Sequence, residues 1–348
     1  MLDTRIRVRM CARPIDEPHR AASRLELLFD LTFVVAIAAV TGRLAHDIAA
    51  GHGIAGLAPF LQVFFAIWWA WMNFTWFASS YDTDDVAYRL LTMVQMAGVL
   101  VLAAGVPAAF GHGDYRGVTL GYLVMRAGLV AQWLRAGIED PPSRRTAFRY
   151  AAGISVLQAG WVARQLLAET GALPPAAQPP VFAGLAVLEL AVPWWAERTM
   201  PTTWHPHHIA DRYALFTIIL LGESVLAAAR GVEGALAAGA IGGPAVVIAV
   251  SGLVVLFALW WLYFLFPAGD GLTARRRRSY LWGYGHYGIF AALAALGAGL
   301  EVAVGRHVTA TPAAAGAAVA VPVAVFVTLL WLVHTSIATG SVVRPAAG

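Results

Sequence analysis

Asp82, Asp84 and Asp85 place three carboxylates within four residues, in the stretch Ser80-Tyr81-Asp82-Thr83-Asp84-Asp85. Carboxyl groups this close raise one another's pKa, because they cannot all readily ionise together. One that keeps its proton in this way can serve as a general acid. The same oxygens could hold Mg²⁺ against a diphosphate, with Arg89, Arg135 or Arg212 on the phosphate oxygens. Glu26 and Asp30 stand one helical turn apart, on one face. Glu223, in the apolar context LLGESV, is a further acid, and Arg126, inside YLVMRAGLV, is a cation in equally apolar company. His205, His207 and His208 in WHPHH are metal ligands by residue type, although the cysteine and His-Glu spacings of known zinc motifs are missing.

The elements that must position these groups are membrane spans. The chain has 348 residues, of which 59% are hydrophobic and only 13% charged, and its mean hydropathy is +0.67. Soluble domains carry about twice that share of charge. Apolar runs long enough to cross a bilayer recur near 25–41, 54–77, 87–110, 117–136, 148–168, 179–197, 212–230, 241–266, 280–303 and 314–337. The expected fold is all-α: a polytopic membrane bundle of about ten transmembrane helices. An Arg-rich arm (1–24) precedes a single transmembrane domain (25–340) and a short tail (341–348). A loop rich in Pro and Ala at 169–180 divides the spans five and five, and a shared R-x-x-(x)-L-F spacing at Arg24 and Arg212 hints at an internal repeat.

All 24 basic residues are arginines, and 18 of them fall on one side if both termini are cytoplasmic. They include the arm, Arg89, Arg135, Arg144, Arg145, Arg149 and the run Arg275–Arg278. This is the positive-inside pattern, so the net charge of +4 reports topology and gives no nucleic-acid signature. The arm lacks the apolar core of a secretory signal, and the single cysteine, Cys11, excludes an internal disulfide framework.

A charge inside a span costs about 2.5–3.5 kcal/mol on insertion scales, so each needs an account. Glu26 and Asp30 could pair with an interfacial arginine and favour the N-terminal end of their helix. Arg126 calls for a buried carboxylate, with Glu189, Glu223 and Asp30 as candidates. Asp82 or Asp84 could cap the third span while Asp85 pairs with Arg89. Trp68, Trp69, Trp71 and Trp76 fit an interfacial belt, or the wall of an aromatic cavity able to stabilise a cation. Read functionally, these groups converge with His208 and His286 on one polar cavity open to the cytoplasm.

Several stretches in matching order, LELLFDLTFVVAIAAVT, WWAWMNFTWFASSYDTDDVAYRLLTMVQMAGVLVLAAGVPAAF, YLVMRAGLVAQWLRA, RYAAGISVLQAGWV and DRYALFTIILLGESV, resemble the bacterial low temperature requirement protein A family. The resemblance runs from about Leu25 to the end. It implies a multi-pass protein of the bacterial inner membrane, with characteristic positions at Glu26, Asp30, Asp82, Asp84, Asp85, Arg89, Arg126, Arg135, Glu223 and Ser224. Asp211-Arg212 departs from the Glu-Arg expected there and keeps its charge pattern.

Three functions fit these residues. The first is an intramembrane enzyme on an isoprenoid or other lipid-like substrate. D-x-D-D has the form of the acid motif of protonation-dependent terpene cyclases, with Asp82, Asp84, Asp85, Glu26, Asp30 and Glu223 as catalytic candidates. Substrate would then lie against Arg89, Arg126, Arg135, Arg212, Trp71, Trp76, His208 and His286. The second is a transporter or channel passing protons or cations along Asp30 and Glu223. The third is a non-catalytic membrane scaffold.

Overall fold

The computed structural model describes residues 6–18, 20–237, 239, 243–305 and 312–338. Its regular structure is helical throughout those residues. Ten long helices occupy the ten apolar runs: α1 (Arg24–Ala49), α2 (Gly53–Tyr81), α3 (Val86–His112), α4 (Arg116–Glu139), α5 (Arg144–Glu169), α6 (Gln178–Ala196), α7 (Pro206–Ala237), α8 (Gly243–Phe264), α10 (Ser279–Gly305) and α11 (Pro312–Ile337). The sequence gives no periodic signal for the short α9 (Ala268–Ala274), which sits just before the arginine run. The tail 341–348 lies outside the described residues.

Helix starts follow local chemistry. Ser23 and Glu26 form a capping box at the head of α1: the Glu26 amide donates to Ser23 Oγ (3.3 Å) and the Ser23 amide to Glu26 Oε2 (2.6 Å). Asp85 caps α3 by accepting from the Tyr88 amide, and Gly113 closes that helix in the left-handed region at φ 65°. Pro206 opens α7, where its missing N–H costs no hydrogen bond.

Eight of the ten, α1, α2, α3, α6, α7, α8, α10 and α11, are long and apolar enough to cross a bilayer. The two that fall short are diluted by polar side chains within the run, Arg126 and Gln132 in α4, and Gln158, Arg164 and Gln165 in α5. The outward faces are apolar as well: Val247, Val254, Phe257 and Trp261 of α8 are all exposed. Such a surface is unsuited to water and suited to lipid.

The chain divides into two compact units, one of Met1–Ala36 with Ala66–His205 and one of Ile37–Phe65 with Pro206–Gly348. The boundary in the second half of the chain thus follows α6, about twenty-five residues beyond the Pro- and Ala-rich loop. In the first unit α3 packs on α4, α4 on α5 and α5 on α6. Glycine lets α3 and α4 approach backbone to backbone, since a Cβ on Gly105 would lie 2.6 Å from the Gly117 carbonyl carbon and one on Gly98 2.8 Å from the Gly121 oxygen. In the second unit α10 is the centre, packed by α7, α8 and α11 and buried along 72% of its most apolar window.

Candidate functional site

The acidic turn between α2 and α3 is dismantled into three separate engagements. Asp85, buried, caps α3 and accepts two hydrogen bonds from Arg135 of α4, at 2.8 and 2.5 Å. The Val8 amide of the N-terminal arm adds a third donor at 2.9 Å. Burial alone would raise this carboxyl, but Arg135 and the two amides outweigh it and hold the pKa down at about 2. Asp84 points outward, its backbone at φ +48°, and forms a two-pronged pair with Arg89 (2.8 Å each). Asp82 accepts from the Asp84 amide (3.1 Å) in an Asx turn and lies 3.6 Å from Arg20. Burial and the nearby Glu26 carboxylate push Asp82 up to about 6, against the pull of Arg20 and Arg13.

This corrects the expectation from sequence of Asp82 or Asp84 as the cap and Asp85 as the partner of Arg89. Because α3 begins at Val86, Asp85 is the cap and Asp84 the partner of Arg89.

The arm is what gathers this turn. Val8 and Met10 donate their amides to Asp85 and Glu139, Arg9 and Arg135 bond backbone carbonyls in return, and the Arg13 amide reaches the Ser80 carbonyl (2.9 Å). Met10 is fully buried beneath it. Arg20 lies between Glu26 (3.5 Å) and Asp82, also donating to the Ala78 carbonyl (3.2 Å). Every carboxylate of the D-x-D-D stretch therefore has a partner within the protein. Among the described residues no group of three or more His, Cys, Asp or Glu converges to hold a metal ion. The WHPHH run shows the same dispersal: His207 is exposed 3.7 Å from Asp270, His208 is fully buried, and the His205 amide bonds Ser79.

Deeper in the first unit, Arg126 of α4 takes Glu189 of α6 as its carboxylate, at 2.5 Å with both side chains 1% exposed. Glu189 also accepts from Trp69 (2.7 Å), Tyr122 (3.1 Å) and Trp161 (3.1 Å). A buried carboxylate with four donors is a satisfied network. Asp30 accepts from the Trp71 indole at 2.7 Å, and Trp76 packs edge-on against Trp204 with centroids 4.8 Å apart. Trp68, Trp69 and Trp71 are all fully buried, so they form no interfacial belt.

The second unit holds a different kind of polar group. Glu223 of α7 is 3% exposed, and its Oε1 accepts from Arg230 at 2.8 Å. Arg230 in turn donates Nε to Glu301 of α10 at 3.1 Å. Glu223 Oε2 is buried with no hydrogen-bond partner. Gly231 permits this contact between helices, since a Cβ there would stand 2.7 Å from the Glu301 carbonyl oxygen. Ser224, next to Glu223, bonds the Leu293 carbonyl of α10 (3.2 Å) and fixes the register. His286 bonds the Trp282 carbonyl (2.7 Å) and Tyr263 Oη (3.1 Å). Arg212 and His208 lie one turn apart on α7, both fully buried.

The structure thus brings Glu26, Asp82, Asp84, Asp85, Arg89 and Arg135 to one end of the first unit, while Asp30 with Trp71, and Arg126, make separate bonds in that unit. Glu223, Arg212, His208 and His286 belong to the second. Sequence reasoning placed Glu301 near a span end but missed that Arg230 bridges it to Glu223, although their opposite charges near the ends of two apolar helices were the available signal. It also missed the docking of the arm, whose extended backbone contacts leave no hydrophobic period to read.

An all-helical chain with eight helices long and apolar enough to cross a bilayer is a multi-pass helical membrane protein in class. The chain belongs to the family of bacterial low temperature requirement A proteins (LtrA), which matches it over residues 21–347. It is also similar to the uncharacterized protein RA0937 of Rhizobium meliloti (strain 1021), at 30% identity over 290 residues, 76% of this chain. The match covers 65% of the length of that relative. No solved structure matches.

Proposed function

We propose that this protein is a proton- or cation-coupled transporter of the bacterial cytoplasmic membrane, with Glu223 as its binding carboxylate. The observation that carries this reading is a charge imbalance. Glu223 and Glu301 share the single guanidinium of Arg230, and one oxygen of Glu223 is buried with no partner. Two carboxylates and one cation leave the group one positive charge short, and an unneutralised charge in so buried a place is costly. A proton or a small cation on Glu223 removes the deficit. The trio also has direction. Arg230 follows Glu223 by seven residues, about 10 Å along α7, and Glu301 lies four residues from the end of α10, so the polar file extends from mid-helix towards the helix ends. Carboxylates at such depth are the usual mark of ion pathways.

An intramembrane enzyme acting on lipid through the D-x-D-D acids would need one of them facing substrate, and all three are engaged by Arg89, Arg135, Arg20 and backbone amides. The test is proton uptake into liposomes containing the purified protein, driven by a potassium diffusion potential and read with an internal pH dye. Uptake above that of empty liposomes, lost in Glu223→Gln and retained in Glu223→Asp, is the expected result. Uptake by wild type no faster than by empty liposomes, or undiminished in Glu223→Gln, overturns the reading.

A further inference from the structure

Between α4 and α5 the first unit carries a groove of about 690 Å³, within the range of small-molecule sites. Its walls are aliphatic, with Leu123, Val130 and Leu134 from α4 and Val162 and Leu166 from α5. Three polar side chains also line it: Ser155, which is exposed, and Arg126 and Gln158, which are almost wholly buried, at 1% and 5% exposure.

What these two residues leave undone is the informative point. Arg126 spends Nη2 on Glu189, and its face is stacked on Tyr122, the guanidinium carbon 4.9 Å from the ring centroid. Its Nε and Nη1 have no hydrogen-bond partner. Neither the nitrogen nor the oxygen of the Gln158 amide has one. Four buried polar atoms on one groove are thus unsatisfied, where each such atom ordinarily costs about 1–3 kcal/mol. Natural proteins leave few buried groups in that state without a ligand to complete them.

We infer that the α4–α5 groove binds a neutral, lipid-soluble carbonyl compound, an apolar body with a ring or chain carbonyl that accepts from Arg126 and Gln158. The charge of Arg126 is already matched by Glu189, so an anionic head would bring an uncompensated charge into a buried site. A carbonyl needs only the free N–H groups. The aliphatic walls suit an apolar body, and the lining side chains Leu134 and Leu166 are themselves exposed on the helix surfaces, so a ligand can arrive through the lipid. Arg126 stands ten residues into a helix of 24, about 15 Å from its start. In a spanning α4 this is the depth of the bilayer midplane, too deep for the ester carbonyls of a glycerolipid.

Decylubiquinone is a suitable probe, because its carbonyls accept hydrogen bonds and the quinone ring quenches tryptophan fluorescence. Trp161 reports on the site, since it shares Glu189 with Arg126. Titrated into the detergent-purified full chain, decylubiquinone should give saturable quenching. Half-saturation should rise at least tenfold in Gln158→Leu, which removes the amide at nearly constant volume. Saturable quenching should vanish in Ala159→Phe, which fills the groove from an exposed position and so spares the fold. Decanoate should fail to displace the quinone, and equimolar dioleoylphosphatidylcholine should fail as well. Quenching that never saturates in wild type, or is unchanged in both variants, overturns the inference and leaves water as the occupant. Displacement by decanoate overturns the neutral head, and displacement by the phospholipid assigns the groove to a glycerolipid ester instead.

Discussion

Asp85 and Arg135 tie the first residue before α3 to the last turns of α4 by two parallel hydrogen bonds, with the Asp85 side chain wholly buried and that of Arg135 12% exposed. The pair also holds the arm, because Val8 donates to Asp85 and accepts from Arg135. Its pH dependence follows from the depressed carboxyl. A group held near 2, against an ordinary 3.8, contributes stability that is fully present above about pH 4 and is lost as pH falls towards 2. The contribution is on the order of 1–2 kcal/mol, after allowing for solvent near the turn. Thermal unfolding followed at pH 6 and pH 3 should therefore show a larger acid loss in wild type than in Asp85→Asn. An equal loss in the two proteins would remove Asp85 from the account.

Asp82 should behave in the opposite sense. Burial beside Glu26 raises its carboxyl to about 6, so its contribution is fully present below about pH 4 and disappears as pH rises through 6. Asp82→Asn preserves the oxygen that accepts from the Asp84 amide and removes the charge that burial penalises, while Arg20 keeps Glu26. The variant is expected to melt above wild type at pH 7.5, with the difference closing at pH 4.5. A variant less stable than wild type at pH 7.5 would mean that the Arg20 contact outweighs the cost of burying the charge.

The contrast between these two acids shows where the sequence stops being readable. Apolar period and length located every long helix, and the bare cost of a mid-span charge called for a buried carboxylate near Arg126, leaving open which of Glu189, Glu223 and Asp30 it was. The roles within Asp82–Asp85 turn on whether α3 begins at residue 85 or 86, a difference of one residue that propensity does not resolve. Glu26 was legible in principle, since Ser23-Arg24-Leu25-Glu26 is a capping box, but its carboxylate drew attention as a candidate acid. The belt reading of Trp68, Trp69 and Trp71 fails for a physical reason. Indole N–H groups follow the buried acceptors Asp30 and Glu189 inward, and hydropathy does not record which acceptors are there.

Arg126 and Glu189 should be hard to separate. Removing one partner of a buried pair leaves the other charge uncompensated, at a cost of about 3–5 kcal/mol. Glu189→Ala also strands the indoles of Trp69 and Trp161 and the hydroxyl of Tyr122. Glu189→Gln keeps an acceptor for them and loses only the charge. Unfolding titrated with sodium dodecyl sulfate in mixed micelles should rank wild type above Glu189→Gln and Glu189→Ala last. Equal stability of Glu189→Ala and wild type would show that the network carries no folding energy.

The α3–α4 contact supplies the last test, because its glycines can be set against others that meet nothing. A Cβ on Gly105 would stand 2.6 Å from the backbone of Gly117, and backbone in a packed helix cannot yield as a side-chain tip can. Gly184 of α6 has open space where its Cβ would be. At an open site, Gly→Ala favours a helix by roughly 0.5–1 kcal/mol. At the crowded site the helices must part, forfeiting the close contact that holds spans together where no hydrophobic drive acts between them. Gly105→Ala is expected to lower the detergent-denaturation midpoint and Gly184→Ala to leave it level or raise it. Equal shifts in the two variants would show that helix propensity, and not approach of the backbones, sets the need for glycine along α3.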